Sequence, residues 1–286
     1  MLKIKLDRAA SDASLPVLMN DQLLFGDNGG VQFIADFANS YSYPTAAAPV
    51  NGTHVLDVSK RAADAAWIVP AGQTLGWGGN GVDFTPVTDK NMWLGLPATV
   101  FASLWAAANQ YFIECCYIKV PAQADFASFA GISPLFSACP ASTYTTSPEV
   151  ALMGMSGSGS PNFTMRRQTA LNATEQANIN TIASDYGMLA QISCYRTAAG
   201  FQASIRTASG RRYSGLISGG ANNTVNFSAA QAGFGPTSAF GLSGTTADKK
   251  WKAYRCWIEN LAISGRDPVT VLDADWNRTI ARGVFS

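Results

Sequence analysis

Tyr111-Phe112-Ile113-Glu114-Cys115-Cys116-Tyr117-Ile118-Lys119-Val120 is the stretch whose reading decides the fold. Successive side chains of a strand point to opposite faces. Phe112, Glu114, Cys116, Ile118 and Val120 therefore share one face, and Tyr111, Ile113, Cys115, Tyr117 and Lys119 the other. Both faces are mainly apolar, which fits a central strand packed on two sides. Glu114 and Lys119 are the exceptions, one on each face, and Glu114 is expected to point inward and pair with an arginine such as Arg255.

Outward from this strand, further short strands are expected at residues 31–37, 53–58, 67–69 and 81–85 before it. After it they fall at 150–153, 188–195, 201–206, 225–227 and 250–263. Ala199-Gly200 and Ser209-Gly210 sit where tight hairpins belong, so residues 195–214 read as a meander. Three segments read as helices: 98–109 behind Pro97, 174–184 behind Asn172, and a last one opening at Asp267-Pro268 and running to about Arg278. Many short strands with few short helices predict an all-β chain, an antiparallel β-sandwich. No internal repeat or low-complexity linker divides it, and it is read as an N-terminal arm, residues 1–30, followed by a sandwich, residues 31–286.

Composition narrows the function classes. Of 286 residues, 47% are hydrophobic and 14% charged, enough apolar side chain for a sizeable core. The formal net charge is +1, and the nearest approach to a basic patch is two isolated pairs, Arg166-Arg167 and Arg211-Arg212. A nucleic-acid partner is therefore not expected. The opening, Met1 to Arg8, alternates apolar and charged residues and lacks the apolar run of a secretory signal. The longest apolar stretch, 98–108, is far shorter than the roughly 20 residues a membrane span needs, so membrane insertion is not expected. The 5 cysteines form no CxxC pair and read as free thiols packed as small hydrophobes.

Reactive constellations are sparse. Gly76-Trp77-Gly78-Gly79-Asn80-Gly81 satisfies GxGxxG, but a short strand ending at Pro86 follows it, so it reads as a β-turn and not a dinucleotide loop. The spacing around Ser156 fails as a nucleophile elbow, and a serine triad would have to use His54, the single histidine. Glutamates 114, 149, 175 and 259 are widely separated, and the one tight acid pair, Asp273-Ala274-Asp275, falls in an expected helix. Glycosidase chemistry wants closely placed carboxylates, so no catalytic residue is assigned and the chain is expected not to be an enzyme. Asp27-Asn28, Asp83 and Asp89-Lys90-Asn91 are loop positions that calcium could use, without diagnostic spacing, and no metal or cofactor is assigned. Aromatic rings are the best ligand signal, since sugars stack their CH faces on them. Trp77 in a Gly-rich loop and Tyr41 and Tyr43 around Ser42 are the candidates, either as binding or subunit-contact residues or as caps on the sandwich.

Several stretches in order along the chain resemble one known family. Gly79-Asn80-Gly81-Val82-Asp83-Phe84 resembles an early strand of laminin-G-like sandwiches. The 111–121 run, ending Lys-Val-Pro, resembles the family's core strand. Trp251 to Arg266, with its Ile258-Glu259-Asn260-Leu261-Ala262-Ile263 segment, resembles the closing strand. Together with the Lys5-Leu6-Asp7-Arg8 arm, the chain resembles concanavalin A-like jelly rolls of tailed-phage virions. The resemblance implies a virion structural protein, tail-, fibre- or baseplate-associated, assembled in the host bacterial cytoplasm. It would pack with copies of itself and other virion proteins, with Lys3, Ile4, Leu6 and Arg8 of the arm docking to neighbours, and could present its sandwich to host-surface glycans. A free-standing carbohydrate-binding module, a glycoside hydrolase of the same fold and a capsid decoration protein are the alternatives.

Overall fold

A computed structural model describes residues 21–86, 92–129, 132–139, 151–157, 161–170, 173–223, 231–236 and 250–286. The arm residues Lys3, Ile4, Leu6 and Arg8, and the strand expected at 225–227, lie outside the described residues. In chain order the strands are β1 (Val31–Asp36), β2 (His54–Val55), β3 (Ala65–Ile68), β4 (Gly76–Gly78), β5 (Gly81–Asp83), β6 (Trp93–Leu96), β7 (Phe112–Lys119), β8 (Ile132–Cys139), β9 (Ala151–Ser156) and β10 (Asn162–Ala170). They continue with β11 (Ala173–Asn180), β12 (Leu189–Thr197), β13 (Gly200–Thr207), β14 (Gly210–Tyr213), β15 (Ile217–Ser218), β16 (Gln231–Phe234) and β17 (Lys252–Asn260). The helices are α1 (Ala98–Trp105), α2 (Gln123–Ala127), α3 (Leu261–Ser264) and α4 (Pro268–Ala281).

The strands form two antiparallel sheets, one ordered β14-β13-β12-β7-β17-β5-β4 with β1 also on β17, the other β11-β10-β9-β8-β16-β6-β3-β2. They stack face to face as a jelly-roll-type sandwich. The shared core joins Phe112, Cys116, Ile118 and Ile192 of the first sheet to Phe136, Met153, Phe163 and Phe234 of the second. The other face of the first sheet is covered too. Ile113, Cys115, Tyr117 and Trp257 pack under Val271, Leu272 and Trp276 of α4, Leu261 of α3 and Leu23. Strand β7 is thus buried on both faces, as its two apolar rows require, and residues 21–30 lie against the body: Leu23 is wholly buried.

Local sequence explains the elements. Asp267 caps α4 by accepting the Thr270 amide at 2.8 Å, and Pro268 fills the first turn. The Gly76–Gly81 stretch is the β4–β5 hairpin, with Gly78 paired to Gly81. Its two loop residues, Gly79 and Asn80, have φ of 59° and 58°, as a two-residue turn matched to strand twist demands. The meander is present, with Thr197 paired to Gly200 and Thr207 to Gly210. All five cysteines are buried.

Two expectations are corrected. Residues 174–184 are not a helix: β11 occupies most of them, pairing with β10 from Ala173 to Asn180. Ala177 and Ile179 are buried while Gln176, Asn178 and Asn180 are not; the period of two outweighs the looser helical spacing. The expected strand 250–263 ends at Asn260, whose side chain accepts the Ala262 amide at 2.9 Å and starts α3.

Glu114 is also corrected. It does not meet Arg255. It lies on the inter-sheet side, where the Cys194 thiol approaches Oε2 at 3.6 Å and Oε1 has no hydrogen-bond partner among the described residues. Arg255 lies on the opposite side of the sheet. Burial pushes the Glu114 carboxyl up to about 8, with the Cys194 contact opposing weakly. A folded-state value above the unfolded one means the native state holds a proton that the unfolded chain releases. This contribution is fully present below pH 4.5 and is lost as pH rises toward 8. Glu114→Gln is therefore expected to remove part of the wild-type decline in urea-denaturation midpoint across that range. Parallel curves for the two proteins would contradict the assignment.

Candidate functional site

A cleft of about 670 Å³ opens where α4, the start of the described chain and the turn after β1 meet on the outer side of the first sheet. Its floor is made by Arg255, 1% exposed. A bulge puts it there: Ala253 pairs with Ile118 and Arg255 with Tyr117, so Tyr254 is an extra residue in β17. The phase shift turns both Tyr254 and Arg255 to the outer face.

Three carboxylates from three elements neutralise this guanidinium. Arg255 donates to Asp21 at 2.7 Å, Asp36 at 2.8 Å and Asp275 at 3.1 Å. Asp275 also accepts from the Tyr117 hydroxyl at 2.7 Å and the Trp257 indole N–H at 2.8 Å. Asp36 also accepts from Arg282 at 2.5 and 3.2 Å and from the Ala38 amide at 3.0 Å. Burial alone would raise Asp21, but Arg255 outweighs it and holds the carboxyl below its ordinary value. The three acids likewise hold Arg255 well above its own, against burial.

The acid pair singled out in the sequence is split by the helix. Asp275 faces inward, while Asp273 is partly exposed and pairs with Arg206 and Arg211. Arg211 continues the polar network by donating to Gln191 at 2.6 Å, and Gln191 donates to Tyr117 at 2.7 Å. Neither acid is free to work as one of a closely spaced catalytic pair. Asp27, a calcium candidate, is taken up by the Val31 and Gly29 amides and by Arg61. His54 is exposed at the start of β2.

The expected aromatic residues fall into two groups. Tyr43 is 1% exposed, donates its hydroxyl to the Ala47 carbonyl at 2.7 Å and is pushed up to about 12 by burial. It stands behind the half-buried Trp77, ring centres 5.1 Å apart. The two end a chain of contacting rings through Phe37, Trp67, Phe84 and Trp251. Trp77 is the surface end of that chain, on edge strand β4. Tyr41 faces the other way, toward the α4 layer, with the Lys60 ammonium 5.2 Å from its ring centre. The turn that carries both tyrosines does border the cleft, but through Asn39 and Ser40.

No protein-family model matches the sequence, and no curated protein matches it. Among solved structures, it is similar to a Trypanosoma rangeli sialidase in complex with sialic acid, at 11% identity and TM-score 0.45, over 81% of this chain and 31% of that one. It is similar to tailspike protein 2 of an Escherichia coli O157:H7 bacteriophage, at 14% identity and TM-score 0.33, over 68% of this chain and 24% of that one. It is also similar to the CBM2 module of the evolved Dit of Lactobacillus casei BL23 phage J-1, at 13% identity and TM-score 0.39, over 80% and 95%. The chain spans less than a third of the sialidase and of the tailspike.

Removing Arg255 would leave Asp21, Asp36 and Asp275 buried against one another. Arg255→Met is expected to cost about 3–5 kcal/mol in denaturant unfolding at pH 7. The deficit should shrink as pH falls below 3.8, because the stabilisation tied to the lowered Asp21 is lost there even in the wild type. A cost under about 1 kcal/mol, as for an exposed ion pair, would show that Arg255 is not the hub.

Proposed function

We propose that the chain is a non-enzymatic structural component of a tailed-phage virion whose sandwich binds host-surface glycans through the cleft above Arg255. The observation that carries the reading is the make-up of that cleft. Guanidinium, carboxylate, amide and hydroxyl groups converge on it from α4 and the turn after β1, the mix that reads a ring of hydroxyls. Its carboxylates are held by arginines, and Glu114 is sealed between the sheets. This supports recognition over hydrolysis, which needs an acid able to give up its proton and a second carboxylate beside it. The sequence resemblance, the low charge and the Lys5-Leu6-Asp7-Arg8 arm support the virion part, with copies of itself and other virion proteins as partners. Trp77, at the rim of the inter-sheet core, is a second contact surface in this reading.

A glycan array probed with the purified chain, followed by a reducing-end assay on every retained glycan, tests the proposal. Retention without reducing-end release is expected, together with recovery of the chain from purified particles at fixed stoichiometry. Release of reducing ends would replace it with the hydrolase alternative. Retention by a chain missing from particles would leave a free-standing binding module.

A further inference from the structure

The hydrogen-bonding capacity of the cleft is unbalanced. Its acceptors are occupied: Asp275 takes three donors, Asp36 is gripped by Arg255 and Arg282, and Asp21 holds Arg255 and the Leu23 amide at 2.9 Å. Donors remain. Arg278 lines the cleft at 29% side-chain exposure and makes no hydrogen bond among the described residues; its nearest carboxylate oxygen, on Asp275, is 3.8 Å away. Asn39 accepts the Tyr41 and Ser42 amides with its side-chain oxygen at 2.9 and 3.3 Å, and its side-chain N–H groups make no hydrogen bond among the described residues. Ser40, exposed next to it, adds a hydroxyl.

A site with filled acceptors and open donors selects a ligand rich in acceptors. A planar guanidinium gives two parallel hydrogen bonds to a carboxylate. We propose that the cleft takes an acidic saccharide, with the sugar carboxylate on Arg278 and its ring oxygens on Asn39 and Ser40. The inference rests on the glycan-binding reading above and narrows it to one ligand class. Asp275 cannot neutralise Arg278 as a close partner would, because Tyr117, Trp257 and Arg255 already draw its oxygens inward. That Arg278 keeps its hydrogen-bond donors free, with only a long ion pair to Asp275, is thus a consequence of how α4 is anchored.

NMR titration of the whole chain with glucuronic acid, glucose and inorganic phosphate tests it, using Arg278→Ala and Arg278→Lys. Among the described residues Arg278 makes no hydrogen bond and only a long, partly exposed ion pair to Asp275, so both variants should fold and melt close to the wild type. Glucuronic acid is expected to bind roughly tenfold or more tighter than glucose, the worth of a charge-assisted pair. Arg278→Ala should erase that preference, and Arg278→Lys should keep only part of it. Equal binding of glucose and glucuronic acid, or an unchanged preference in Arg278→Ala, overturns the inference and leaves glycan binding standing. Phosphate binding as tight as glucuronic acid overturns it in favour of a bare anion site. Binding of no saccharide here, with none retained on the array, overturns the glycan-binding reading as well.

Discussion

Arg255 is a guanidinium closed off from water in the middle of a sheet, and it can stay charged there only if carboxylates come to it. Three do, from the segment before β1, the end of β1 and the middle of α4. Helix α4 is more than 200 positions from the other two elements, so their meeting at one side chain fixes how the helix lies on the sandwich. The apolar contacts of Val271, Leu272 and Trp276 hold α4 down, while the ion network selects its position along the sheet. The Tyr117 hydroxyl and the Trp257 indole bind the same Asp275, so the hub and the helix layer are one unit.

The cleft follows from that arrangement. Carboxylates drawn inward toward Arg255 turn their acceptor oxygens away from solvent. Arginines at the C-terminal end of α4 are left over the opening, with Arg282 hydrogen-bonded to Asp36 and Arg278 held only by a 3.8 Å ion pair to Asp275. The aromatic chain ending at Trp77 meets a different need. It fills the space between the sheets with contacting rings, and Trp77 closes that space at an edge strand. A jelly-roll scaffold of this kind gives no activity by itself, and the chemistry resides in the side chains its loops and outer helix bring together.

Much of the fold was legible in the sequence. The 111–120 run announced two buried faces, and both exist. The hairpins, the capped start of α4 and the burial of Trp251 and Trp257 follow from local patterns. The 174–184 segment misled because Ala177 and Ile179 serve either period, and only the β10 partner decides between them. The site was less legible. Strict alternation along β17 places Arg255 on the same face as Trp251, yet Trp251 joins the inter-sheet core and Arg255 the outer layer. A one-residue bulge reverses the phase, and nothing in the residue types around Tyr254 marks it. Glu114 and Arg255, opposite charges on neighbouring strands, never meet because Arg255 pairs with Tyr117, three residues from Glu114 and therefore on the other face. Asp275 carried a faint signal as part of a tight acid pair, but its role depends on sharing Arg255 with Asp21 and Asp36, more than 200 positions away in the chain.

A crystal structure of the chain soaked with a glucuronic acid-containing saccharide tests the central claim most directly. The account places the sugar carboxylate at about 2.7–2.9 Å from the Arg278 guanidinium, with the Asn39 amide also engaged and Arg255 still bound by its three aspartates. A saccharide seated on Trp77 instead, or one whose arrival draws Asp275 away from Arg255, would contradict it.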